Sequence, residues 1–369
     1  MTNTVSFPKL GLEFTVNRVA FTLGSVTITW YGLLIAAGIL LAMCFAFYQA
    51  KKFGIIADKL MDAAPGGVIG GIVGARHYYV AFRWEDYKND LSSIFKTWEG
   101  GMAIYGGLIG GLLIGLLAAK IRKVRILPAM DLAVMGFLIG QSIGRWGNFV
   151  NVEAFGGNTN LPWGMTSPAI TGYLQQHLTE LTELGMKIDP TAPVHPTFLY
   201  ESLWCALGFL GLFLYKNHRR FDGEIFLLYS FWYGLGRLFI EGLRTDSLLI
   251  GQIRVSQLLA GIVSLAALVT WIVATAKIRG AHDPEFCKPY GQTEAFAKEL
   301  AEYEASLKQK KDKKGTKKTE NASEKENGVE VVEIDNFEGA ETPEEAEDDG
   351  TKIADAPAEE AASEEKKNG

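Results

Sequence analysis

The chain has 369 residues and a formal net charge of −6, and its 41 glycines and 21 phenylalanines suit closely packed membrane helices. Its mean hydropathy of +0.10 hides a contrast, because a polar end dilutes an apolar body. The start lacks the basic stretch and apolar core of a cleavable signal peptide, so the first membrane helix must direct insertion. Cys44, Cys205 and Cys287 form no metal-ligand spacing, so no metal and no cofactor is expected, and no nucleic-acid partner.

A helix that spans a bilayer needs about 20 mostly apolar residues. Seven stretches qualify: about 26–48, 60–82, 101–119, 126–146, 196–215, 225–241 and 255–276. The second is the least regular, since Arg76 and His77 fall inside it. Basic residues follow the first helix (Lys51, Lys52, Lys59) and crowd the link after the third (Lys120, Arg122, Lys123, Arg125). They recur after the fifth (Lys216, Arg219, Arg220) and after the seventh (Lys277, Arg279). With alternating helices these four places share one side, which the positive-inside rule makes cytoplasmic. The connection 147–194 carries only Lys187 as a basic residue and is expected outside. The expected fold is therefore all-α, a polytopic membrane protein of seven transmembrane helices, N-terminus outside and C-terminus cytoplasmic.

Glycines recur every fourth place at Gly66, Gly70, Gly74 and at Gly107, Gly111, Gly115, a spacing that lets helix backbones approach closely in lipid. No fixed-period repeat runs through the chain, which excludes a solenoid. After Arg279 the character changes: 296–310 reads as a short charged helix, 308–318 is basic, and 330–367 is acidic with few large apolar residues. Residues 1–279 are thus expected to form the membrane domain, with an outer loop at 147–195, and 280–369 a charged, disordered cytoplasmic tail.

The densest polar stretch follows the fourth apolar run: Gly144-Arg145-Trp146-Gly147-Asn148-Phe149-Val150-Asn151-Val152-Glu153-Ala154-Phe155-Gly156-Gly157. Arg145, Asn148 and Asn151 are three apart and can share one helical face. A cation with amide donors at the mouth of a membrane helix suits a phosphate headgroup. Arg145 and Trp146 taken alone also suit a plain interfacial anchor. Other helices place polar groups at the same outer depth: Tyr31, Tyr105, His195, Tyr200, Glu201, and Arg237 one turn before Glu241. Intramembrane charge is costly and usually faces a cavity, so Arg145 and Arg237 read as a clamp for one phosphate.

This stretch resembles the signature of the prolipoprotein diacylglyceryl transferase family. The blocks Trp30-Tyr31-Gly32, Gly106-Gly107-Leu108-Ile109-Gly110, His195 to Glu201 and Tyr233 to Glu241 are also similar to family blocks, in the same order. The likeness covers roughly 26–276. Tyr105 stands where many members have histidine, and Phe198 where glutamine is common.

The resemblance implies a bacterial plasma-membrane enzyme with its site facing the outer leaflet. It would move diacylglycerol from phosphatidylglycerol to the lipobox cysteine of a prolipoprotein, with glycerol phosphate leaving. The implied partners are phosphatidylglycerol, prolipoprotein signal peptides and the bilayer. In that reading Arg145 and Arg237 hold the phosphate, and Tyr31, Asn148, Asn151 and Gly156 line the headgroup site. Glu241 holds Arg237, and Glu153, Tyr105 and His195 are the alternative bases. The rival class is a lipid or small-molecule transporter with an anionic-ligand site at the outer face, although transporters usually carry polar groups near the midplane.

Overall fold

The computed structural model describes residues 2–24, 26–97, 100–245, 249–250, 253–281, 283 and 285–309. The chain opens with two antiparallel hairpins, β1 (Thr2–Phe7) with β2 (Leu12–Asn17) and β3 (Val19–Leu23) with β4 (Val26–Thr29). A third, short hairpin joins β5 (Leu249–Ile250) and β6 (Ile253–Arg254). The all-α expectation is corrected to a mostly helical fold with these hairpins attached. The reason lies in the local sequence. Val5 and Phe7 point to a buried core while Thr4 and Ser6 alternate outward, a period of two. Gly11 turns the first hairpin at φ +64°, a backbone region glycine enters without steric cost.

Helix α1 (Trp30–Gln49) begins four residues later than the apolar pattern suggests, because Val26–Thr29 is a strand of β-branched residues. Thr29 then caps the helix, its hydroxyl accepting from the Gly32 N–H at 3.3 Å. Next come α2 (Ala57–Phe82), the single turn α3 (Trp84–Tyr87), α4 (Ile104–Ile121) and α5 (Ile126–Asn151). Two short helices, α6 (Pro168–Gln176) and α7 (Leu178–Glu183), interrupt the long connection, followed by α8 (Thr197–Tyr215), α9 (Glu224–Glu241) and α10 (Val255–Ala281).

Among the described residues, five segments are long and apolar enough to cross a membrane: Trp30–Phe53, Ile104–Ile121, Ile126–Asn151, Thr197–His218 and Val255–Ala281. Helices α2 and α9 are long too, but carry Asp58, Lys59, Asp62 and Arg76, and Glu224, Arg237 and Glu241. Arg76 is buried, and among the described residues no carboxylate pairs with it. Its guanidinium donates to the carbonyls of Ser93, Ile94, Gly100 and Gly101 at 2.6–3.0 Å and so pins the loop between α3 and α4.

The helix pairs α1–α5, α2–α4, α5–α8 and α8–α9 pack antiparallel. Gly38 meets Gly140, and Tyr31 meets Gly147, across α1 and α5. Ser142 bonds Ser202 across α5 and α8. Trp204 and Trp232 stack and exchange indole-to-carbonyl hydrogen bonds across α8 and α9. Helices α2 and α4 form the tightest pair. A Cβ added to Gly70 would lie 2.6 Å from the Gly110 carbonyl oxygen. The tightest contacts thus join Gly70 and Gly74 to Gly106 and Gly110, one residue before the expected row of Gly107 and Gly111.

This arrangement gives the bundle two unlike ends. One gathers the ends of α5 and α9 and the start of α8. The opposite end holds the loops with Lys51, Lys52, Arg125 and Arg219. There Asp131 of α5, fully buried, accepts from the N–H groups of Gly223 and Phe226, anchoring the start of α9.

The compact unit runs to Leu307, beyond the division expected at 279. A charged helix forms at 294–309 as the sequence suggests, and its Phe296 is 3% exposed. Lys59 donates to Glu299 at 2.8 Å, and Tyr303 donates to Asp58 at 3.1 Å. The remainder of the expected tail, 310–369, lies outside the described residues. Truncation after Leu307 should leave the thermal midpoint in detergent unchanged. Truncation after Arg279 should lower stability by about 2–3 kcal/mol from the loss of Phe296 burial alone. Equal midpoints for the two truncations would show that 285–307 adds nothing to the fold.

Candidate active site

The site is built first by the end of α5. The helix continues past Trp146 to Asn151, so Asn148 and Asn151 stay on it one turn apart. It stops at Val152, which has φ 55°, and Ala154 follows with φ 56°. A β-branched residue in the left-handed region is a true outlier and stores strain that surrounding contacts must hold. The turn brings Glu153 back beneath the helix. Its Oε1 accepts from Asn148 Nδ2 at 2.9 Å and from Asn151 Nδ2 at 3.2 Å. Asn151 Oδ1 accepts in turn from Arg18 Nε at 3.2 Å.

Arg145 points from the same helix toward α8. Its Nη2 lies 2.5 Å from Glu201 Oε2, and its Nη1 lies 3.4 Å from Asn148 Oδ1. Glu201 is 3% exposed and serves as a hub. Arg237 of α9 reaches it at 3.4 Å, and Arg244, just after α9, at 3.3 Å. Arg237 also pairs with Glu241 at 2.5 Å, the one-turn pair expected from the sequence. Among the described residues, three guanidiniums from different parts of the chain therefore surround one buried carboxylate. Arginines repel each other, and such a cluster forms only around negative charge. Where a phosphate approaches, the same forks are already aimed.

The other expected site residues fall into three groups. Tyr31 lies against the cluster's helix: a Cβ on Gly147 would be 2.6 Å from its ring, so the close approach needs glycine there. Gly156 is clasped between α8 and the end of α9. Its N–H donates to the His195 carbonyl at 2.9 Å, it bridges to Arg244, and a Cβ there would come within 2.8 Å of His195 Cβ. His195 sits beside that clasp. Its Nδ1 is 3.1 Å from the Tyr200 hydroxyl, to which Trp163 Nε1 donates at 2.7 Å. Burial pushes the His195 imidazole below the ordinary histidine range, which favours the neutral ring. Tyr105 is the residue not brought in. It lies exposed in the first turn of α4, a helix packed mainly on α2, and among the described residues none of the cluster's hydrogen bonds or ion pairs involves it.

Phe198 fills the wall between these groups. It is buried, with ring centroids 5.7 Å from Trp146 and 4.9 Å from Phe149. An apolar wall there shields the Glu201 side of the ion cluster from water, which strengthens its electrostatics. Glu201, Arg244 and Arg18 escaped the sequence-based site. Glu201 carried a signal, a carboxylate in the first turns of an apolar helix at the depth of Arg145. Arg18 carried none, because its place depends on the hairpins. Among the described residues no group of three or more acidic, cysteine or histidine side chains is placed to hold a metal.

Comparison with known proteins places the chain in a family. A family model described as prolipoprotein diacylglyceryl transferase matches residues 18–273. A phosphatidylglycerol–prolipoprotein diacylglyceryl transferase of Clostridioides difficile is 42% identical over 238 residues, covering 64% of this chain and 87% of that one. Proteins of the same name from Listeria innocua and Acaryochloris marina are 42% and 43% identical, over 82% and 81% of their lengths. The match takes in Arg18, Arg145, Glu201, Arg237 and Arg244, and the chain belongs to the prolipoprotein diacylglyceryl transferase family.

Proposed function

We propose that this chain transfers the diacylglyceryl group of phosphatidylglycerol to the lipobox cysteine thiol of prolipoproteins. The observation that carries this reading is the convergence of Arg145, Arg237 and Arg244 on Glu201, next to Asn148, Asn151 and Glu153. All seven long helices span a bacterial plasma membrane in this reading, including α2 and α9, whose charges lie near their ends or inside the bundle. The positive-inside rule puts the Lys52 and Arg125 end in the cytoplasm and the arginine cluster in the outer leaflet. The N-terminus is then outside.

The reaction is a displacement at carbon. The thiol sulfur attacks the glycerol carbon that carries the phosphate ester. The C–S bond forms as the C–O bond breaks, and that electron pair leaves on the phosphate oxygen of glycerol phosphate. Negative charge grows on the phosphate, so preplaced cations lower the barrier most. Arg145 and Arg237 supply them, while Asn148 and Asn151 direct the headgroup and Glu241 steadies Arg237. Tyr31 and Gly156 shape the walls of the headgroup site. The thiol proton must go to a base whose pKa lies near the working pH. His195 suits this better than Glu153, since burial favours its neutral ring and Glu153 is already engaged with both asparagines. Exposed Tyr105 is the weakest of the three.

The nucleophile belongs to the substrate. Cys205 is buried on α8, and Cys44 and Cys287 lie outside the cluster. Purified protein with all three changed to serine should keep most of its transfer from phosphatidylglycerol to a lipobox peptide. A folded but inactive triple variant would point to a covalent enzyme intermediate and overturn this scheme.

A further inference from the structure

Next to the arginine cluster lies a second surface that the transfer chemistry does not use. A groove of about 520 Å³ runs between β1 and the start of α6, lined by Thr4, Ser6, Glu13, Thr166, Ser167 and Thr171. Thr4, Ser6, Thr166, Ser167 and Thr171 bring hydroxyls to this lining, and Glu13 and Gln175 add a carboxylate and an amide. These groups offer hydrogen bonds to a polar ligand.

Two features show that these hydrogen bonds await a partner. Ser167 is 3% exposed, and its hydroxyl is buried without a hydrogen-bond partner. It stands at the N-cap of α6, where a serine hydroxyl usually accepts from the helix, yet it makes no such bond. Leaving a buried hydroxyl unsatisfied costs about 1–3 kcal/mol, a cost that a ligand group could remove. The second feature is the edge of β1. Ser6 exchanges both of its backbone hydrogen bonds with Thr166, on the edge away from β2. Alternate residues of a strand face the same edge, so Thr4 presents its N–H and C=O there too, just beyond Thr166. A free strand edge beside a groove is the geometry that captures an extended peptide by strand addition.

The groove also lies at the right end of the molecule. The β1–β2 hairpin stacks on the end of α5 through Phe14 and Phe149, with ring centroids 6.1 Å apart. Arg18, directly after β2, bonds Asn151. We propose that this groove binds the extended, polar part of the lipoprotein precursor that follows the acceptor cysteine. The inference rests on the transferase reading above. In that reading the apolar segment before the cysteine stays in the membrane, and the residues after it leave at this end of the bundle. A polypeptide leaving there is unfolded, carries unpaired amides and meets the Thr4 edge and the Ser167 hydroxyl.

The test compares two acceptor peptides with purified full-length enzyme and phosphatidylglycerol. One ends directly after the lipobox cysteine, and the other continues through a further polar segment. A Cβ added to Gly172 meets nothing within 4 Å, so Gly172→Trp can carry an indole from α6 into the groove. Thr4→Pro removes the edge N–H instead, a change that edge strands tolerate. Losing one or two peptide hydrogen bonds should raise KM for the long peptide about 10-fold in either variant, with kcat unchanged. The short peptide should show no change, and wild type should prefer the long one. Equal effects on both peptides, or none on either, would overturn the groove while leaving the transferase reading intact. Failure of wild type to modify either peptide would overturn both. If Gly172→Trp does not fold, the Thr4→Pro contrast alone decides.

Discussion

Replacing Arg145 with alanine should cut turnover by ~100-fold or more, the usual loss when one preplaced donor to a developing negative charge is removed. Arg237→Ala should cost as much. The two residues come from α5 and α9, yet both reach the carboxylate of Glu201, at 2.5 and 3.4 Å. Guanidiniums that reach the same two oxygens can also reach the oxygens of one phosphate. A lysine in either place keeps the charge and loses the fork, so Arg→Lys should restore only part of the rate. Glu241→Ala should do less harm, because it acts through Arg237 at 2.5 Å. The measurement is turnover with phosphatidylglycerol and a lipobox peptide, on variants whose folding is checked by thermal midpoint. A near-normal rate for folded Arg145→Ala would reduce Arg145 to an anchor at the membrane interface.

The sequence shows the long helices within a few residues, because an apolar run of the right length has few alternatives in lipid. It shows Arg145, Asn148 and Asn151 as one face, because their spacing is local and α5 continues through them. It shows Arg237 and Glu241 as a pair for the same reason. What it leaves out is contact between segments distant in the chain. Arg18 meets Asn151 only because the β1–β2 hairpin folds back over the end of α5, and of the four early strands only Val26–Thr29 falls within the first apolar run. Tyr105 shows another side of the same limit. Its depth along α4 matches the site, but α4 packs on α2 through glycines and carries Tyr105 to an exposed position. Depth alone fixes one coordinate of three. Glu201 shows both sides of this limit. Its depth was visible, but its role depends on three arginines arriving from three directions.

That role makes Glu201 the residue whose loss should be felt most in the fold. It is 3% exposed, and Arg145, Arg237 and Arg244 all lie within ion-pair distance of it. Removing one partner of a buried ion pair leaves charge uncompensated and typically costs about 3–5 kcal/mol. Glu201→Ala should therefore lower the thermal midpoint clearly and abolish transfer. Glu201→Gln keeps the shape and one acceptor oxygen while removing the charge, so it should fold better and recover part of the rate. A purely structural glutamate and one that positions a phosphate clamp differ in one readout. If Glu201 aims the arginines, its loss leaves a cationic pocket that an anion can fill. Inorganic phosphate or glycerol phosphate should then raise the midpoint of Glu201→Ala more than that of wild type, by the usual linkage between binding and stability. Stabilisation of wild type alone would mean that the phosphate site needs Glu201 to hold its arginines in place, and stabilisation of neither protein would mean that the three arginines form no phosphate site, even where the variant is inactive.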